Sequence, residues 1–169
     1  KWVSLPPFPG EGRILSTAAV CDSTLFIIGG CSLSRDNSGE TSRTYLSDMI
    51  GYDMTSKDPS KWGSSGRQQL AGPGMPVAAA AGPAPVRENS ILLIGGDKRG
   101  NSPDPSRPVV QSRDILVYDV IGNTWTRQGE WPVGIATVPA VVRGSEIMTI
   151  SGETAPGVRT PVNASASAG

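Results

Sequence analysis

Histidine is absent from the 169 residues, cysteine occurs twice, and aromatic side chains make up only 5%. Without histidine the commonest metal ligand is missing, and neither a metal nor a cofactor is expected. The two cysteines flank a candidate strand, Leu25 to Gly29. At about 3.3 Å per residue that strand should hold Cys21 and Cys31 on the order of 20 Å apart, so no disulfide is expected between them. Charge of one sign is also lacking, since fifteen basic residues meet fifteen acidic ones. With no Lys/Arg block, nucleic acid is not an expected partner. Long hydrophobic runs are missing too: Ile91 to Ile94 falls far short of the roughly 20 residues of a membrane-spanning helix, and no membrane partner is expected. Residues Lys1 to Pro9 hold three prolines and no apolar core of the kind a secretory signal carries, which leaves the compartment open.

What is abundant is punctuation. Gly occurs 21 times and Pro 15 times, and no stretch sustains an apolar pattern at helical spacing, so the chain reads as all-β. A unit recurs along it. A short apolar run ends in a glycine pair or near-pair at Leu25-Phe26-Ile27-Ile28-Gly29-Gly30, at Ile91-Leu92-Leu93-Ile94-Gly95-Gly96-Asp97 and at Ile147-Met148-Thr149-Ile150-Ser151-Gly152-Glu153. A second mark, Tyr-Asp, closes another run at Tyr52-Asp53 and Tyr118-Asp119, and a tryptophan follows each, Trp62 and Trp125. The Tyr-Asp marks recur after 66 residues and the tryptophans after 63, longer than the roughly 50 of a compact kelch repeat, with the excess in loops, and the marks resemble the kelch repeat of β-propellers. Each repeat is expected to form one four-stranded blade.

In the first unit the expected strands are Ile14 to Val20, Leu25 to Gly29, Leu46 to Asp53 and the Trp62 segment. In the second they are Pro76 to Ala84, Ile91 to Gly95, Asp114 to Asp119 and the Trp125 segment. The third unit has Ile135 to Val142 and Ile147 to Ser151, then fades near Pro161. Small residues from Val77 to Gly82 suit an inner strand converging on a narrow axis. Residues 31 to 45 and 97 to 113, rich in Ser, Asn, Asp, Gly, Pro and Arg, read as irregular insertions whose arginines and lysines face solvent. The division that follows is a partial propeller over 1–162: residues 1–5, with Trp2, as the outer strand of a preceding blade, 6–62 and 63–125 as blades, and 126–162 as an incomplete blade. Residues 163–169 read as a flexible tail, with Asn163-Ala164-Ser165 as a possible glycosylation acceptor. About three blades are counted where propellers close with four to eight, so a missing half or a second copy is expected to complete the ring.

The repeat marks, Trp2-Val3-Ser4-Leu5-Pro6-Pro7-Phe8-Pro9 leading to Arg13, the blade around Gly95-Gly96-Asp97, and Ser151-Gly152-Glu153-Thr154-Ala155-Pro156-Gly157-Val158-Arg159-Thr160-Pro161 resemble the sialic acid mutarotase (N-acetylneuraminate epimerase) family. The last segment is similar to that family's G-E-x-x-P-G-[VIL]-R-T run, and the order of units is similar to the C-terminal half of its cyclically permuted branch. The resemblance implies a six-bladed propeller that interconverts anomers of a sugar acid, located in the periplasm or secreted. It carries the family's proposed active-site pair onto Glu153 and Arg159.

Ring opening needs a group that takes the anomeric hydroxyl proton and one that protonates the ring oxygen, which suits Glu153. Arginine holds its proton too tightly to serve, but its fork suits a bidentate grip on a carboxylate, the role expected of Arg159. The topology of an up-and-down blade places the loop after strand two and the entry to strand one on the same side. Asp97 and Arg13 are therefore expected beside Glu153 and Arg159 at one mouth of the channel, as substrate-binding residues. Structural alternatives stand beside these roles. Glu153 suits a carboxylate that accepts backbone N–H groups after the glycine turn and Asp97 a turn residue, while Arg159 suits a salt bridge between blades and Arg13 a structural or solvent-facing role. A second functional reading is a non-catalytic kelch propeller that captures a protein or glycan through its long loops. Nothing speaks for a metal-radical oxidase, since there is no histidine and no Tyr/Cys pair suited to the mouth.

Overall fold

The computed structural model describes residues 2, 4, 7–55, 75–76, 79–98 and 110–167, and among these it contains fourteen strands and no helix. The first unit is an antiparallel sheet of β1 (Thr17–Cys21), β2 (Thr24–Ile28) and β5 (Met49–Asp53), in that order. Between its last two strands stands a separate hairpin of β3 (Cys31–Arg35) and β4 (Thr41–Tyr45). The second unit is the four-stranded sheet β6 (Val86–Arg87), β7 (Ser90–Ile94), β8 (Asp114–Asp119) and β9 (Thr124–Glu130). The third orders β10 (Ala140–Arg143), β11 (Glu146–Ile150) and β14 (Asn163–Ser167). The short hairpin of β12 (Glu153–Ala155) and β13 (Val158–Arg159) occupies its loop.

The same local chemistry starts each sheet. Two-residue turns, Asp22-Ser23, Glu88-Asn89 and Gly144-Ser145, join the first strands, and the leading residue of each has positive φ (52°, 50° and 60°). That conformation matches the right-handed twist of the paired strands. The period-2 pattern then decides facing: in β2 Phe26 and Ile28 are buried while Leu25 and Ile27 are half-buried.

The buried faces stack unit on unit. Phe26, Ile28 and Met49 pack with Ile91, Leu93, Leu116 and Tyr118 in one cluster. Tyr118 meets Phe26 edge-on at 6.0 Å and lies tilted on Trp125 at 5.1 Å, so these aromatics are core residues. A second cluster joins Ile94, Trp131, Ile135, Val138 and Ile147. Trp131, which carries none of the repeat marks, is fully buried there and donates its indole N–H to Thr149 Oγ1 at 3.1 Å.

The glycine pairs have a tertiary reason. A Cβ on Gly29 would sit 2.3 Å from Ala79 O, and one on Gly95 would sit 2.4 Å from Ile135 O; both residues have positive φ. These are the points where the next unit's chain passes against the end of strand two. There Gly30 N donates to Ala79 O at 2.9 Å and Gly96 N to Ile135 O at 2.8 Å, stitching unit to unit. Ser151 takes the corresponding place in the third unit, at φ 65°, with its side chain exposed.

Several elements differ from the sequence reading. Residues 31–45 are a regular hairpin because Asp36 Oδ1 accepts the N–H groups of Ser38 and Glu40 and the Ser38 hydroxyl, and Gly39 takes φ 89°. The inner strand of the second unit is short because Pro83 and Pro85 have no N–H. Their carbonyls still accept from Ile94 and Leu92, so the ladder there is one-sided. Residues 163–167, expected as a flexible tail, pair with β11 as the third strand of the last sheet. Ala164 and Ala166 pack on the second core cluster while Asn163, Ser165 and Ser167 face outward. Trp2 is wholly exposed. Trp62 and residues 77, 78, 99 and 107 lie outside the described residues.

Candidate functional site

Three isolated bridges repeat along the chain: Ile14 with Cys31, Ala80 with Asp97, and Ala136 with Glu153. The residue after each first partner, Leu15, Ala81 and Thr137, takes positive φ of 58°, 58° and 55°. They are linked in series, Ala81 N donating to Leu15 O and Thr137 N to Ala81 O, both at 2.8 Å. Cys31, Asp97 and Glu153 are thus equivalent positions, held side by side where the inner strands begin.

A second equivalent set faces them. Met49, Ile115 and Asn163 pair with Ile28, Ile94 and Ile150, the last residues of strand two in each sheet. Tyr45, Gln111 and Arg159 each stand four positions before those residues. Across the hairpins the register is Cys31 with Tyr45 and Glu153 with Arg159. Of these six positions Asp97, Gln111 and Glu153 face one region.

That region is a cleft of about 350 Å³ walled in part by Arg43, Asp97, Gln111, Thr137, Glu153 and Pro156. It shares Leu15, Ala81 and Thr137 with an adjoining cavity of about 450 Å³ that runs along the inner strands. The lining of the adjoining cavity holds no carboxylate and no arginine, only small, apolar and hydroxyl residues such as Thr17, Ala18, Pro83 and Pro139. Of the two cavities, the smaller cleft therefore holds the ionisable side chains.

Glu153 is mostly buried in its wall. Its Oε2 accepts from Arg159 Nη1 at 2.5 Å and its Oε1 from Gly157 N at 3.1 Å. Arg159 Nη1 also donates to Thr137 Oγ1 at 2.9 Å, while two thirds of its side chain stays exposed. The pair is thus held by one hairpin and one neighbouring hydroxyl, with a guanidinium edge open to an incoming anion. Asp97 is buried and accepts the phenolic hydrogen of Tyr45 at 2.9 Å, a bond from one unit to the next.

Arg13 is placed elsewhere. It does not line the cleft, and its side chain is 4% exposed. Nη1 and Nη2 donate to the two carboxylate oxygens of Asp48 at 2.6 and 2.8 Å, Nη1 also to Gly29 O, and Nε to Glu11 O. Phe8 lies under the guanidinium, 4.8 Å from its ring centre. The expectation of four residues at one mouth therefore resolves into three in or beside the cleft and one bound behind strand two.

Sequence reasoning missed Gln111, Tyr45 and Thr137, and placed Arg43 among solvent-facing loop residues. The signal that marks the first two is the fixed interval before strand three, which makes them positional counterparts of Arg159. Behind the cleft, Lys98 bonds Asp114 at 2.8 Å; that bond, with help from Arg127 and Ser112, brings the Asp114 carboxyl down to about 2. Cys21 is a buried free thiol, its pKa raised by that burial and then by Asp22; Cys31 is also free and buried. Among the described residues no group of three or more Cys, Asp or Glu is arranged to hold a metal ion.

No family model matches the chain. It is 23% identical to the N-acetylneuraminate epimerase of Yersinia enterocolitica over 94% of its own length, and 25% identical to that of Haemophilus influenzae over 95%. A Salmonella typhi protein of the same name is 24% identical, again over 95%. The chain spans about half the length of these curated relatives, covering 45% to 46% of each. The solved structure of YjhT superposes with a TM-score of 0.74, at 22% identity, over 99% of this chain and 53% of that one. The chain is therefore an all-β protein of propeller fold, similar in sequence along nearly its whole length to N-acetylneuraminate epimerases.

Proposed function

We propose that the cleft is part of a sugar-acid mutarotase site that interconverts the anomers of N-acetylneuraminate or a similar sugar. The observation that carries this reading is the Glu153–Arg159 pair, a largely buried carboxylate in the cleft wall bonded to an exposed guanidinium beside the cleft. The names of the relatives support the substrate class.

In this reading Arg159 turns its fork to the substrate carboxylate, for which its exposed edge is suited. Glu153 takes the proton of the anomeric hydroxyl. The oxygen left behind forms the carbonyl as the bond to the ring oxygen breaks, and the ring oxygen takes the proton back from Glu153. Reclosure on the other carbonyl face gives the second anomer, with no net change in protons. Asp97 accepts a sugar hydroxyl. Further propeller blades, or a second copy, complete the ring around the cleft, packing on the third sheet where Ile150 is 62% exposed.

Replacing Glu153 by Gln keeps the shape and removes the base. Anomer exchange, followed by nuclear magnetic resonance on N-acetylneuraminate, should slow by about 100-fold or more. Exchange at the unaltered rate would overturn the assignment.

A further inference from the structure

We propose that Gln111 is a substrate-specificity residue of the cleft, its side-chain carbonyl accepting one hydroxyl or amide hydrogen of the bound sugar. This rests on the sugar-acid reading of the cleft. Gln111 lines the cleft and is 4% exposed, and its Oε1 is buried without a hydrogen-bond partner. A buried amide oxygen left unpaired is costly and uncommon in folded proteins, and a binding site is where such a cost has a use.

The position is built rather than incidental. The backbone N–H of Gln111 donates to Thr154 O at 2.8 Å, which ties it to the hairpin that carries Glu153 and Arg159. On its other side Gly134 passes so close that a Cβ there would lie 2.2 Å from Gln111 O. The backbone is held against the third unit at both its N–H and its carbonyl while the side-chain oxygen is left unpaired. Its counterparts do different work: Tyr45 donates to Asp97, and Arg159 donates to Glu153 and Thr137. Of these three equivalent side chains, Gln111 alone brings an acceptor without a partner.

An acceptor at this place complements the cation at Arg159. A carboxylate offers no hydrogen and gains nothing from Oε1, so the anionic end of the sugar belongs at Arg159. A group bearing O–H or N–H then turns to Gln111. Sites that hydrogen-bond a substrate group discriminate strongly against analogues lacking it, because the site's own polar atom is then stranded.

The test replaces Gln111 by Met, which keeps the volume and removes the amide. Wild type and variant are compared in dissociation constant for N-acetylneuraminate and for analogues that each lack one hydroxyl or the acetamido N–H. One analogue should bind wild type at least about tenfold more weakly than N-acetylneuraminate does, while the variant should not distinguish the two. The thermal midpoint of Gln111→Met should equal or exceed that of wild type, since the variant loses an unpaired buried acceptor; a purely structural glutamine would give a lower one. Should the Met variant not fold, Gln111→Asn, which withdraws the amide by one carbon, carries the same expectation for the analogue preference. If wild type binds and the variant shows the same analogue preferences, the role of Gln111 is overturned while the sugar-acid reading stands. If wild type neither binds nor interconverts N-acetylneuraminate, both fall.

Discussion

Tyr45 reaches from the first unit to the second and donates its phenolic hydrogen to the buried carboxylate of Asp97 at 2.9 Å. The bond joins two units that also meet through apolar packing, backbone bonds and the hydrogen bond from Thr17 Oγ1 to Gly82 O. A hydrogen bond to a carboxylate is worth more than one between neutral groups. Tyr45→Phe should therefore lower stability by about 1–3 kcal/mol in urea denaturation, with the slope against denaturant unchanged. A midpoint equal to that of wild type would show that Asp97 does not depend on this donor.

Arg13 grips both oxygens of Asp48 and the carbonyl of Gly29, at the point where strand two ends and the next unit crosses. Lysine keeps the charge but cannot reproduce the fork. Arg13→Lys should cost about 1–2 kcal/mol of stability, the pair being half open to solvent on the Asp48 side. Affinity for N-acetylneuraminate should stay at the wild-type value, because Arg13 lies outside the cleft. A loss of affinity at retained stability would bring Arg13 back as a binding residue.

Asp114 is bonded by Lys98, Arg127 and Ser112, and these donors bring its carboxyl to about 2. An unfolded aspartate titrates near about 3.9. The folded value is the lower one, so the contribution is complete above about pH 4 and is lost as pH falls through about 2. Arg127 is half exposed, and solvent screening keeps the contribution under about 1 kcal/mol. Asp114→Asn should flatten the stability profile between pH 4 and 2 by that amount, measured by chemical denaturation at stepped pH. An unchanged acid limb would show that Asp114 is paired equally well in the unfolded chain.

The fold class was legible in the residues because it rests on local chemistry. Apolar runs of four or five residues, each ended by glycine, can only be short strands with abrupt exits. The Tyr-Asp marks repeat because Tyr52 and Tyr118, both buried, take the same register in successive sheets, opposite Leu25 and Ile91. Glu153 and Arg159 were singled out by the resemblance of their segment to that of the epimerase family, and the hairpin register pairs them directly.

What the sequence concealed was whatever depended on a neighbouring unit. Residues 163–167 have the composition of a loose tail, yet two alanine methyl groups on one face suffice to make a strand once Trp131 and Ile147 stand opposite. Arg13 and Arg159 are alike as side chains. Their fates differ because Asp48, 35 positions away, reaches one and leaves the other open. Gln111 carries no motif, and its significance arises from burial between two sheets with nothing to satisfy its oxygen. The sequence by itself thus determined the principal strands and their repeat, which are fixed by interactions within one unit. Only the tertiary structure decided which polar groups find partners, because that is settled by distances between units and by the cost of leaving a buried polar atom unpaired.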